Sequence, residues 1–152
     1  MRVSIIDYKT SNLHSVKAAC EKVGITSSIT SKPNELLSSD AAILPGVGSF
    51  SGAMQNIRKL GLEEAIFNFV SSGKPLFGIC LGLQLLFEQS EEFGTHEGLS
   101  LIRGKVKRFD FSNGTKISDI KSFISCSSAS KIIFSLVTFS FPETTLIEYH
   151  FI

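Results

Sequence analysis

The stretch "GKPLFGICLGLQLLFEQSEE" (73–92) joins an apolar run, a cysteine set between glycines, and a helical pattern. Residues 74–79 read as a short buried strand, and residues 81–92 as the helix that follows it. Between them, Gly78-Ile79-Cys80-Leu81-Gly82 has the form of a nucleophile elbow with cysteine in place of serine. The spacing has a physical reason. A strand-to-helix turn this sharp strains the backbone of its central residue, and neighbours two positions away must be nearly without side chain. The amides at the start of the next helix then point at the sulfur and favour a thiolate. The amide of Leu81 is placed to hold an oxyanion. A small buried hydrophobe at a tight turn accounts for the same five residues, so the elbow alone leaves the role of Cys80 open.

Working outward, strand and helix patterns alternate. "RVSIID" (2–7) is a short, mostly β-branched run, followed by "NLHSVKAACEKVG" (12–24), where Leu13, Val16, Ala19, Cys20 and Val23 recur at helical spacing before Gly24. "TSSIT" (26–30) is a second strand pattern, "KPNELLSS" (32–39) a short helix with proline near its start, and "AAIL" (41–44) a third strand. A helical pattern over 51–73 is broken near Gly61, and "GKVKRFDF" (104–111) alternates like a half-exposed strand that begins an antiparallel extension. Alternating strands and helices predict a parallel sheet covered on both faces.

"LPGVGSF" (44–50) places a second tight glycine loop after a different strand. Ligands of open α/β sheets bind beyond the carboxyl ends of the strands, so two such loops suit an acyl-transfer site. One would carry the nucleophile and the other an oxyanion donor. A plain turn that uses glycine for positive φ explains the loop equally well. A phosphate loop is a poorer account, because the Lys and Ser/Thr of a Walker motif are missing.

Composition narrows the remaining classes. With 152 residues, 43% hydrophobic and 19% charged, the chain is sized for one globular domain. The net charge of +1 and the lack of a basic stripe give no reason to expect nucleic acid. Cys20, Cys80 and Cys126 lie far apart without a CxxC pair, which argues against a metal site or a disulfide framework and for a reducing compartment. The first residues read as a strand rather than a signal peptide, and "IIFSLVTFSF" (132–141) is too short for a membrane-spanning helix. A cytoplasmic protein is the expectation.

Four blocks together carry a resemblance: "IIDY…NLHSV", "LPGVGSF…AM", "GKPLFGICLGLQLLFEQSEE" and "GLSLIRGKVKRF". They resemble the class I glutamine amidotransferases, and among them the glutaminase subunits of imidazole glycerol phosphate synthase. The resemblance spans residues 1 to about 111 with the blocks in the family's order. It implies a flavodoxin-like α/β domain with a mostly parallel sheet, incomplete at the C-terminus. It implies that Cys80 attacks the side-chain amide of glutamine, giving a glutamyl thioester and ammonia. Val47 and Gly48, with the amide of Leu81, would form the oxyanion hole, and Gly48 and Gln84 would hold the glutamine. No cofactor or metal is implied. Ammonia would pass to a (β/α)8-barrel cyclase subunit in a heterodimer of histidine biosynthesis. A sister branch of similar sequence supplies a partner that amidates a surface sugar.

Two departures stand out. Where the family has glycines after "IDY", this chain has Lys9 and Ser11, close to the family's partner-facing surface. The family also completes its triad with a His-Pro-Glu motif, which is not found here. In "FPETT" (141–145) Phe141 stands where the histidine would be, and it follows Cys80 too soon. Of the three histidines, His14 lies in a helix pattern, His96 in a polar turn and His150 two residues from the end, so none recommends itself as a base. The character of the sequence also changes late: all twelve glycines lie at or before residue 114, and the rest is rich in Ser, Ile and Phe. These features predict a partial amidotransferase domain over 1–114 and an atypical tail over 115–152, produced by a shift of reading frame near 111–117. Such a tail would leave a sheet edge and an apolar face open and make the chain poorly soluble. A non-catalytic remnant that keeps only the partner surface is the competing expectation.

Overall fold

The computed structural model describes residues 1–10, 12–108, 132–135 and 145–148. Its centre is a parallel sheet. The strands are β1 (Val3–Ile6), β2 (Ser27–Thr30), β3 (Ala41–Leu44), β4 (Leu76–Ile79) and β8 (Ile132–Ser135), in the order β2-β1-β3-β4-β8. All four neighbouring pairs are parallel. Every residue of β1 is buried, as expected of a strand covered on both faces. The connections are α1 (Leu13–Lys22), α2 (Pro33–Leu37), and the pair α3 (Phe50–Lys59) and α4 (Leu62–Ser71). The strand order is that of a doubly wound, flavodoxin-like sheet.

Helical periodicity explains the packing. In α3, Phe50, Ala53, Met54 and Ile57 are buried, and in α4, Leu62, Ala65, Ile66 and Phe69 are. Both sets follow the i, i+3, i+4, i+7 stripe of a helix lying on a sheet. Burying each large side chain among them contributes about 1.5–3 kcal/mol. The break between the two helices falls at Gly61, whose φ of +66° ends one and opens the other. Helix α1 is less committed to the core: only Cys20 is buried, and Val23 just beyond it is 70% exposed.

A second, smaller sheet has the order β6-β5-β7-β9, with β5 (Phe87–Ser90), β6 (His96–Glu97), β7 (Ile102–Arg108) and β9 (Thr145–Glu148). Here the structure corrects the sequence reading. The helix expected over 81–92 is a single turn, α5 (Leu81–Gln84), after which the chain turns into β5. The reason lies in burial. Leu85, Leu86 and Phe87 are all fully buried, which a helix lying on a surface does not allow. From Phe87 to Ser90 the chain runs beside β7 instead. Strand β7 pairs parallel to β5 and antiparallel to β9, so the antiparallel extension expected over 104–111 is half of what is found. The late stretch supplies β8 along β4 and β9 along β7, so the edge of β4 is not open as the sequence suggested. Ser11, Phe141 and His150 lie outside the described residues.

Candidate active site

The carboxyl ends of β1, β3 and β4 lie side by side, and the chain leaves each through a tight turn. The turn after β4 is the elbow. Cys80 sits at φ 54°, ψ −118°, a conformation that costs a residue with a side chain about 1–3 kcal/mol. Its carbonyl accepts the amides of Leu83 at 2.9 Å and Gln84 at 3.2 Å, which makes it the N-cap residue of the turn α5. Cys80 is exposed, so it is not the small buried hydrophobe that the sequence left open.

The glycines around it are required by contact. A methyl group on Gly78 would stand 2.8 Å from Leu83 Cα, and one on Gly82 would run into the Leu44 carbonyl. Gly46, in the loop after β3, faces the same point: a methyl there would lie 2.5 Å from both Gly82 N and the Tyr8 hydroxyl. Three chain segments thus meet with no room for a side chain, and Cys80 projects beside that junction.

The loop after β3 is held to the loop after β1. The Tyr8 hydroxyl, fully buried, donates to the Pro45 carbonyl at 2.7 Å. The Val47 amide donates to the Thr10 carbonyl at 3.4 Å. Val47 itself is 53% exposed, and Gly48 next to it has φ +99° and open space around it. The loop ends at Ser49, whose hydroxyl accepts the Gly52 amide at 3.3 Å and caps α3. Glu92 reaches back from the turn after β5 to accept the Phe50 amide at 3.5 Å.

Of the residues singled out from sequence, Cys80, Leu81, Val47 and Gly48 are brought to the same sheet edge by the ends of β3 and β4. Gln84 stands one helical turn after Cys80 and is half-buried. The histidines are elsewhere: His14 is exposed on α1, and His96 pairs with Ser90 in the small sheet. Tyr8, Asp7 and Glu92 were not anticipated. "IIDY" carries the signal for Tyr8, a lone aromatic hydroxyl at the end of a buried strand, but not its partner 37 residues away.

Lys9 explains one departure seen in the sequence. It has φ 74°, the left-handed region that favours glycine. Asp7 compensates: its Oδ1 accepts the Lys9 amide and its Oδ2 the Lys9 ammonium, each at 2.8 Å. Partial burial pushes the Asp7 carboxyl up, but the two hydrogen bonds and the charge of Lys9 outweigh this and hold it below the usual carboxylate value.

Among the described residues no group of His, Cys, Asp and Glu is arranged to hold a metal ion, and no helix is long and apolar enough to cross a membrane.

Comparison with known proteins bears on the family of the chain. Residues 2–117 match the CobB/CobQ-like glutamine amidotransferase domain. The chain is 52% identical over 107 residues to the imidazole glycerol phosphate synthase subunit HisH of Nostoc punctiforme, covering 70% of this chain and 50% of that one. It is 53% identical over 110 residues to the same subunit of Sulfurimonas denitrificans, covering 72% and 53%. With that of Bacillus subtilis it shares 52% over 106 residues, covering 70% and 50%. The chain therefore spans about half the length of the curated relatives it matches. Among solved structures, a glutamine amidotransferase superposes with a TM-score of 0.61 at 24% identity, covering 70% of this chain and 56% of that one. A putative peptidase E from Listeria monocytogenes gives 0.55 at 16%, covering 66% and 62%. Both attest to the fold. With its elbow cysteine, its glycine loop and this match over more than two thirds of its length, the chain belongs to the glutamine amidotransferase family.

Proposed function

We propose that this chain is the glutaminase part of an imidazole glycerol phosphate synthase, with Cys80 as nucleophile. The observation that carries the reading is the exposed, strained cysteine at the carboxyl edge of the parallel sheet, locked between Gly78 and Gly82. The HisH relatives, at about half sequence identity, support the assignment to that synthase.

The chemistry follows from the groups present. The Cys80 thiolate attacks the side-chain carbonyl carbon of glutamine. A C–S bond forms and the carbonyl oxygen takes the electron pair. The Leu81 amide, which no carbonyl engages among the described residues, is available to that oxygen. The Val47 amide could join it only after leaving the Thr10 carbonyl, with Gly48 as the pivot. When the tetrahedral adduct collapses, the C–N bond breaks and ammonia leaves with one added proton. Water then cleaves the thioester to glutamate. Gln84, one turn along α5, and Gly48 are assigned to holding the substrate. Ammonia would be consumed by a (β/α)8-barrel cyclase subunit in the cytoplasm.

The proton steps need a base, and the His-Pro-Glu motif that would supply one is not in this sequence. We therefore expect these 152 residues alone to turn over slowly. We also propose that residues 115–152 are a tail without family resemblance arising from a shifted reading frame, although β8 and β9 within it pair with β4 and β7. Resequencing the gene through codons 105–125 tests that, since a His-Pro-Glu stretch in another frame is the expected result.

The functional test is ammonia release from glutamine, with and without a barrel cyclase subunit. Cys80→Ala is expected to fall to the buffer rate while wild type stays above it. Equal rates for the two would remove the enzyme reading. Retained binding to the cyclase with no Cys80-dependent ammonia would favour the non-catalytic remnant instead. Lys9 at the partner-facing turn is the feature that favours the sugar-amidating branch, and pairing with such a partner in place of the cyclase would decide for it.

A further inference from the structure

Hydrogen bonds from Tyr8 and Val47 link the loop after β1 to the loop after β3, and they are unequal. Tyr8 to Pro45 is short and buried. Val47 to Thr10 is long, at 3.4 Å, and sits at an exposed residue. An amide that donates to a carbonyl is not free for an oxyanion. Lys9 directly precedes Thr10 in the turn and holds φ 74°. A lysine does not rest in this region unaided. Asp7 supplies the aid, with one oxygen on the Lys9 amide and the other on its ammonium.

Asp7 is itself well anchored. Its amide donates to the Thr30 carbonyl at 2.8 Å, and its side chain is 16% exposed against 59% for Lys9. The amide contact is therefore the stronger half of the pair, because the ammonium remains in water. We propose that Asp7 and Lys9 form a brace that keeps the Thr10 carbonyl on the Val47 amide, so that Asp7 is a positioning residue governing how often this amide is available to the Cys80 site. The brace follows from geometry alone; its consequence for catalysis rests on the function proposed above.

Three readouts separate these parts. Hydrogen exchange at the Val47 amide reports the brace without any chemistry. Labelling of Cys80 by 6-diazo-5-oxo-L-norleucine, which carries a carbonyl where glutamine does, reports the oxyanion hole. Labelling by iodoacetamide reports the thiol without it. In Asp7→Ala, Val47 exchange should rise about tenfold, the loss expected for a charge-assisted hydrogen bond. Labelling by the glutamine mimic should rise several-fold, and labelling by iodoacetamide should not change. Asp7→Asn keeps an oxygen for the Lys9 amide and should stay within about twofold of wild type. Lys9→Pro cannot adopt the left-handed turn and lacks the amide proton. It should behave as Asp7→Ala, and it lies at an exposed position should Asp7→Ala fail to fold.

Unchanged Val47 exchange in both Asp7→Ala and Lys9→Pro would overturn the brace. So would Asp7→Asn matching Asp7→Ala. Faster exchange with slower labelling by the glutamine mimic would overturn its assigned sign. Faster exchange in a protein whose Cys80 ignores the mimic throughout would uphold the brace and remove the nucleophile reading.

Discussion

The turns after β3 and β4 lie on neighbouring strands and both are rich in glycine, yet their glycines answer different demands. Gly78 and Gly82 are glycines because there is no space for a methyl group beside Leu83 and the Leu44 carbonyl. A methyl on Gly48 would meet nothing within 4 Å, and that residue is glycine because its φ is +99°. The turn after β4 is fixed by contact, whereas the turn after β3 is packed at Gly46 and open only at Gly48. On the proposed mechanism that division has a use: Cys80 follows the closely packed Gly78, and the Val47 amide lies beside the open Gly48.

The largest expected effect tests this contrast directly. Gly82→Ala drives a methyl into the Leu44 carbonyl, so either α5 or β3 must move. We expect a loss of about 3 kcal/mol or more, the upper range for overpacking a site enclosed by backbone. Gly48→Ala meets no atom and should cost about 1–2 kcal/mol, the penalty for a left-handed alanine. Urea unfolding of the two variants checks the ordering. Equal losses would erase the distinction between the two turns.

Much of this contrast could be read from the chain, and some of it could not. The GxCxG spacing announces a strand-to-helix turn because local sterics demand small residues two positions either side, and the structure has Gly78 and Gly82 in tight contact. Strands β1 to β4 and the break at Gly61 were legible because period and punctuation are local properties. The end of α5 was not. "LLFEQSEE" suits a helix until the pairing of 87–90 with β7, fifteen residues later, is known. Nor was the attachment of Val47 to Thr10 legible, since a bond between two backbones leaves no mark on residue identity. Lys9 looked like a departure from the family. In the structure it occupies a glycine conformation with a carboxylate in support.

Strain at the elbow should be measurable separately from its contacts. Cys80 adopts φ 54°, so Cys80→Gly removes the penalty and should stabilise the domain by about 1–2 kcal/mol while abolishing any labelling of the site. A Cys80→Ala variant keeps the Cβ and should be close to wild type in stability. A Cys80→Gly variant no more stable than Cys80→Ala would mean that the surrounding turn relaxes with the residue, and that the elbow is less rigid than its contacts suggest.

Tyr8→Phe probes the link between the two loops. It deletes the hydroxyl that donates to the Pro45 carbonyl, leaving a buried acceptor unsatisfied. The expected loss is about 1 kcal/mol, with faster exchange at Val47 as the loop loosens. Exchange unaltered at Val47 would show that the Thr10 contact holds the loop without help from Tyr8.

The smallest effect concerns acid. Asp7 is held below its usual pKa by Lys9, so the folded state favours the charged carboxylate more than the unfolded chain does. The stability it lends is fully present above the unfolded value of about 3.9 and fades as pH falls through the lower, folded value. Wild type should lose its advantage over Asp7→Asn in that acid window and keep it constant from about pH 5 to neutrality. Because Lys9 is 59% exposed, solvent screens the pair and the difference should be small at high salt. Its direction matters more than its size. A gain in relative stability on acidification would mean that burial, not Lys9, dominates the carboxylate. Asp7 would then strain the turn after β1 instead of supporting it, and the adjustable side of the site would have no brace at all.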